Sequence, residues 1–207
     1  MNKTKRKILD CSLELFNEFG LPNVSQRRIT SVLKISPGNL TYHFKKKEDI
    51  YETLYFEFIA LVEKSIKKFL KGERNLITFS LLTEEWFDSM YAYRFIFLDI
   101  TNLMRINQKI SLDFQNLVAT RQSLFLKIMN ELVSSNRIRK EEIPDEFNFL
   151  YNRLHIVSDF YLSSLSGFSK KITEEKRSTH KKTFFLELYP YLTKKGKEEY
   201  VQIFNKL

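Results

Sequence analysis

The sequence is poor in chain breakers. Its 207 residues include 5 Gly and 4 Pro, too few turn formers for a many-stranded sheet, so long helices are expected. A single cysteine, Cys11, rules out an intrachain disulfide and argues against a cysteine-based metal site. The three histidines, His43, His155 and His180, do not stand at ligand spacing. A Gly-rich phosphate loop, a GxSxG elbow and an HExxH pair are all missing. Glu84 and Glu85 are adjacent, so on a helix they point apart and make no acid–base pair. These absences argue against an enzyme and imply no metal or cofactor. No apolar run reaches the roughly 18 residues of a membrane span. The basic start, MNKTKRKILDCSLELF, lacks the apolar block of a secretory signal. A cytoplasmic protein without a membrane segment is expected.

What the chain does have is positive charge and helical periodicity. Its formal charge is +9, a balance that suits nucleic acid or a membrane surface. Residues 1–50 carry ten Lys/Arg against five acids, so more than half of the excess sits in a quarter of the chain. The spacing predicts a helix over 4–19 with Ile8, Ser12, Leu15, Phe16 and Phe19 on one face, stopped at Gly20. A second follows over 26–33, capped by Ser25, with Ile29, Val32 and Leu33 facing inward. Ser36 then Pro37 is a strong start for a short helix over 37–43, held by Leu40 and Phe44. A long helix over 47–71 carries the stripe Ile50, Leu54, Phe58, Leu61, Val62, Ile66 and Phe69. Beyond it, helices are expected at 75–91, 92–105, 108–136, 145–168, 174–193 and 197–205, with breaks at Asn107, ahead of Pro144 and at Gly167. The fold class is all-α: a three-helix head at 1–47 and a helical body at 48–207, joined inside one continuous helix. Trp86 is expected in the core of that body.

Two short helices around a tight turn make a helix-turn-helix unit, whose second helix enters the DNA major groove while its neighbours hold phosphates. In the helix over 37–43, Asn39 suits adenine edges, and Thr41 can donate, accept or meet a thymine methyl. Ser36 and Pro37 open the helix toward the groove, and Gly38 leaves room for close approach. Tyr42, His43 and Lys47 suit phosphates, with Lys45 and Lys46 beside them, and Arg27 and Arg28 crowd the first turn of the helix before.

At these residues the chain resembles the tetracycline-repressor (TetR) family of bacterial transcription regulators. The likeness runs from Lys7 to Ile50 and is carried by ILDCSLELFNEFG and ISPGNLTYHFKKKEDI, with Ile35, Ser36, Gly38, Leu40, Tyr42, His43, Phe44, Lys47 and Ile50 on the signature. It departs at Thr41, where the family has Tyr, and at Lys34, where the inter-helix turn has Gly. The resemblance implies a homodimer on a palindromic operator in double-stranded DNA, acting as a repressor. It also implies an effector-binding and dimerisation body whose last two long helices pair with their copies. Stripes that suit this are Phe147, Leu150, Leu154, Val157, Tyr161 and Leu165, then Phe184, Leu188, Tyr191 and Leu192, with Ser158, Ser163, Ser164 and Ser166 allowing close approach. The same stripes also suit an intrachain core. The effector is expected to be small and apolar or aromatic. Arg94, Asp99, Asn102, Arg105, His155 and Asp159 are polar groups available to it or to buried ion pairs, and no ligand residue is assigned among them. Two other readings stand beside this one: a non-specific basic DNA-binding protein without an effector, and a helical carrier of an apolar ligand.

Overall fold

The computed structural model describes residues 2–166 and 172–206. Among these residues there are eleven α-helices, two single 3-10 turns and no strand beyond one isolated antiparallel bridge, Ile138 to Leu192. In the head, α1 spans Lys3–Phe19, α2 Gln26–Leu33 and α3 Pro37–His43. Then come α4 at Lys47–Leu70, α5 at Leu76–Ala92, α6 at Phe95–Leu98, α7 at Ile100–Ile106 and α8 at Gln108–Ser134. The chain ends with α9 at Glu146–Ser166, α10 at Glu174–Leu186 and α11 at Lys194–Phe204. None of the described helices is long and apolar enough to cross a membrane.

The helix ends follow local chemistry. The side chains of Asn2, Asn75, Asn107, Thr173 and Thr193 accept first-turn backbone N–H groups of α1, α5, α8, α10 and α11, satisfying donors that a helix leaves open. Gly20 ends α1 at φ 77, which a residue without Cβ adopts freely.

Three body segments differ from the sequence expectation. The helix expected over 92–105 is two, because Asp99 breaks the run at φ −147 and its carboxylate accepts from Asn102 Nδ2 at 2.9 Å. A short acidic side chain that bonds its own neighbourhood competes with the helical backbone. The helix expected to reach 193 stops at Leu186, and Pro190, which has no N–H to offer, sits in the 3-10 turn Tyr189–Tyr191. The last helix starts three residues early, at the Thr193 cap. The break expected at Gly167 lies outside the described residues, as does the side chain of Ser166.

Head and body are joined in two places. α4 runs from one into the other, with Ile50, Leu54, Tyr55, Phe58 and Val62 buried along it, while Leu61, expected in that stripe, is exposed. The second join is Asn17 on α1, whose side chain donates to Ala92 O at 2.8 Å and accepts from Phe95 N at 3.0 Å. Beside it the Phe16 and Phe95 rings stand 5.5 Å apart.

Candidate nucleic-acid interface

The head is built to present one face of α3. Ser25 Oγ accepts from Arg28 N and Ser36 Oγ from Asn39 N, both at 3.2 Å, so α2 and α3 each begin on a serine cap. Val24 and Ile29 are buried on either side of the Ser25 cap, the placement of a hydrophobic staple. The turn between the helices is a Schellman motif: Ile35 N donates to Thr30 O at 3.1 Å and Lys34 N to Ser31 O at 3.3 Å. That closure places Lys34 in the left-handed region, at φ 54 and ψ 42. Val32, expected inward, is 56% exposed, and the buried side of α2 is made by Ile29 and Thr30 instead. Gln26 Nε2 donates to Phe44 O at 3.3 Å and fixes the far end of α3.

A helix of seven residues is too short to repay its own nucleation. Leu40 and Phe44 are buried and hold it, while Ser36, Pro37, Gly38, Asn39, Thr41 and Tyr42 are all exposed, Tyr42 to 85%. The carboxamide of Asn39 bonds to no described residue and so offers a donor and an acceptor together. Thr41 is more restricted than its type suggests. Its hydroxyl donates to Pro37 O at 2.9 Å, which leaves a methyl and an acceptor lone pair to a partner. A Cβ added at Gly38 would meet nothing closer than Ser36 Oγ at 4.0 Å, so the space over that residue is open.

The cations around α3 fall into two groups. Arg27, Lys45 and Lys46 are exposed and make no ion pair with a described residue. Arg28 stacks over the Phe19 ring at 3.6 Å, and Lys47 donates from Nζ to Leu21 O at 3.0 Å. These two are anchored to the end of α1 and the turn after it, so Lys47 has a structural bond besides the phosphate role expected for it. Tyr42 and His43 stand edge to face with ring centroids 5.0 Å apart. Of the lysines and arginine at the start of α1, Arg6 pairs with Asp10 and with Glu57 on α4, both at 2.7 Å. Lys5 lies over the Phe44 ring at 5.1 Å.

The body contains a cavity of about 100 Å³ between α4, α5, α8 and α9, lined by Val62, Ile66, Trp86, Phe125, Ile128 and Leu154 among others. A buried polar group forms part of its wall. Arg121 donates from Nη1 to Asp159 Oδ2 at 3.0 Å, and from Nη2 to Asp159 Oδ1 and Ser158 Oγ at 3.2 Å. Burial alone would raise the Asp159 carboxyl; the Arg121 charge, the neighbouring His155 ring and the Arg121 hydrogen bonds outweigh that and hold it at about 2. His155 Nδ1 lies 2.9 Å from Asp159 Oδ2, but off the line a hydrogen bond requires. Of the polar groups proposed from sequence, His155 lines this cavity. Arg94 and Asp99 instead line a cleft against the end of α1, and Asn102 bonds to Asp99. Arg105 is exposed. Arg121 was not legible: ATRQS on α8 has the polar pattern of a surface turn of helix. The two stripes proposed for pairing with a second copy are largely internal, since Phe147, Leu150, Leu154, Phe184, Leu188, Tyr191 and Leu192 are buried within the chain. Ser158 is buried against Arg121, and Ser163 Oγ donates to Phe97 O at 2.6 Å.

A reading head with an open polar helix, set on an all-helical body with a lined cavity, is the architecture of a DNA-binding regulator. Comparison with known proteins gives the family. Residues 8–54 match the model described as bacterial regulatory proteins, tetR family, and residues 58–200 match the model described as bacterial transcriptional repressor. A TetR-family transcriptional regulator from Marinobacter aquaeolei VT8 superposes with a TM-score of 0.84 at 26% identity, covering 99% of this chain and 98% of that one. The ketosteroid transcriptional regulator KstR2 of Mycobacterium tuberculosis shares the fold with a TM-score of 0.72 at 16% identity, covering 94% and 97%. The fatty acid degradation regulator FadR from Bacillus halodurans does so with a TM-score of 0.66 at 13% identity, covering 91% and 96%. No match is found among curated proteins. The chain belongs to the TetR family and is a DNA-binding transcriptional regulator.

Proposed function

We propose that the protein is a repressor that binds a palindromic operator as a homodimer, with residues 1–47 reading DNA and residues 48–207 binding the effector and the second copy. The observation that carries the reading is the exposure of Ser36, Pro37, Gly38, Asn39, Thr41 and Tyr42 on a helix whose Leu40 and Phe44 are buried. Asn39 and Thr41 contact base edges, the latter as an acceptor or through its methyl. Arg27, Arg28, Tyr42, His43 and Lys47 hold phosphates. The dimer face is the outer side of the last helices, where Phe149, Ile156, Leu186 and Tyr189 are exposed around the Arg153–Glu187 ion pair at 3.0 Å.

Effector binding reaches the head by two routes. Phe58 on α4 stands 5.5 Å from the Trp86 ring in the cavity wall, so a ligand there bears directly on the helix that carries the head. Phe97 on α6 stands 5.9 Å from Trp86, and α6 grips α1 through Phe95 and Asn17. A ligand that fits better when these rings have moved shifts the population toward a head spacing that no longer matches the operator. The test is binding to a selected duplex and to random duplexes across salt concentrations. Tighter binding to the selected site at every salt supports the reading, with Asn39→Ala narrowing the gap. Equal affinity for both would make the protein a non-specific binder, and no affinity for any duplex would make it a carrier.

A further inference from the structure

The donors around the body cavity are unequally committed. Thr83 Oγ1 donates to Phe79 O at 2.8 Å, Tyr151 Oη to Val118 O at 2.8 Å and Ser158 Oγ to Asp159 at 2.6 Å. Arg121 is committed to Asp159 and Ser158, and Trp86 covers its guanidinium at 4.2 Å. The charge of Arg121 is therefore balanced inside the wall, and an incoming anion would have to displace Asp159, which is fully buried. Removing one partner from a buried pair leaves an uncompensated charge. Trp86 and His155 are different. Both line the cavity, and Trp86 Nε1 and His155 Nδ1 are buried with no hydrogen-bond partner among the described residues, the His155 atom facing Asp159 Oδ2 at 2.9 Å while Trp86 Nε1 faces no described acceptor. An indole N–H can donate and cannot accept.

We propose that the effector of this cavity is an uncharged, mainly hydrocarbon molecule whose carbonyl or ether oxygen accepts a hydrogen bond from Trp86 Nε1. Carboxylates are disfavoured, because the guanidinium of Arg121 is already held by Asp159 and the His155 ring stands against the same carboxylate. Val62, Ile66, Leu124 and Ile128 supply the apolar contact. At about 100 Å³ the cavity takes a compact group or a short chain end, on the scale at which an engineered cavity of ~150 Å³ admits benzene. This proposal rests on the reading of the body as effector-binding.

The chain has a single tryptophan, so its one indole N–H resonance in a proton–nitrogen NMR spectrum reports this atom alone. The full-length protein is titrated with diethyl ketone, butanoate and pentane, which are of similar size and differ in polarity. The ketone is expected to move that resonance downfield to saturation and to bind about tenfold tighter than butanoate. Pentane is expected to enter without the downfield shift. Butanoate binding as tightly as the ketone, or ketone saturation without movement of the indole resonance, overturns the proposal. So does the absence of binding by all three. The reading beneath it is judged separately by operator binding: ketone binding in a protein with no preferred duplex would sink the regulator and leave the cavity chemistry standing.

Discussion

Lys34 is held where lysine is poorly suited. The Schellman closure between α2 and α3 requires a left-handed residue, and Lys34 takes it at φ 54 and ψ 42. In that region the Cβ of an L-residue crowds the following carbonyl, at a cost of roughly 1–2 kcal/mol, whereas glycine has no Cβ to crowd. Part of the gain from glycine is lost again, because a glycine chain has more freedom when unfolded. A net stabilisation of about 1 kcal/mol is expected for Lys34→Gly, which for a chain of this size raises the melting temperature by roughly 2–4 °C. The side chain of Lys34 is exposed and makes no ion pair with a described residue. Lys34→Ala removes the same side chain but keeps a Cβ, so it is expected to melt close to the native protein. Thermal unfolding of the three proteins, free of DNA, decides the matter. Equal melting of the Gly and Ala variants would refute the argument that the turn is strained at this residue.

A Cβ on Gly196 would fall 2.0 Å from Arg137 O, where α11 crosses the segment before the bridge. Gly196→Ala is expected to lower stability by roughly 1–3 kcal/mol in chemical denaturation, since backbone has to move. Lys47→Ala is expected to weaken binding to all duplexes by a similar factor. It should also lower the melting temperature by a few degrees at most, because the bond to Leu21 O is half-exposed and worth ~0.5–1 kcal/mol; unchanged melting would mean that the bond is idle. Burial pushes the imidazole of His180 down to about 4, against the pull of its bond to Val157 O. The unfolded chain then binds the proton first, near pH ~6.5. Stability should fall as pH drops from there toward 4, and NMR titration should find the His180 ring neutral until the pH nears 4.

The head was legible because its signals are local. Caps at Ser25 and Ser36, the stop at Gly20 and the pair Leu40 and Phe44 each act within four or five residues, and the structure places all of them as expected. The strain at Lys34 was visible only through the family resemblance, which has Gly at that place in the turn. What the sequence left open depends on distant partners. Apolar spacing on α9 and α10 says that a face is buried, not whether its cover is this chain or a second copy, and here it is this chain for Phe147, Leu150, Phe184 and Leu188. Arg121 has a polar neighbourhood in sequence, and only the approach of α9 turns it into a buried cation. Asn17 and Gln26 likewise look like surface residues until α6 and α3 supply their backbone partners.

The central claim is that two copies of α3 read DNA sequence in register. Selection of bound duplexes from a random pool by the full-length protein tests it most directly, because one measurement returns site, spacing and symmetry. An enriched palindrome is expected, with half-sites about 34–36 Å apart, one helical turn or a multiple of it. A pool that remains random after selection, or that converges on a single unpaired half-site, would contradict it.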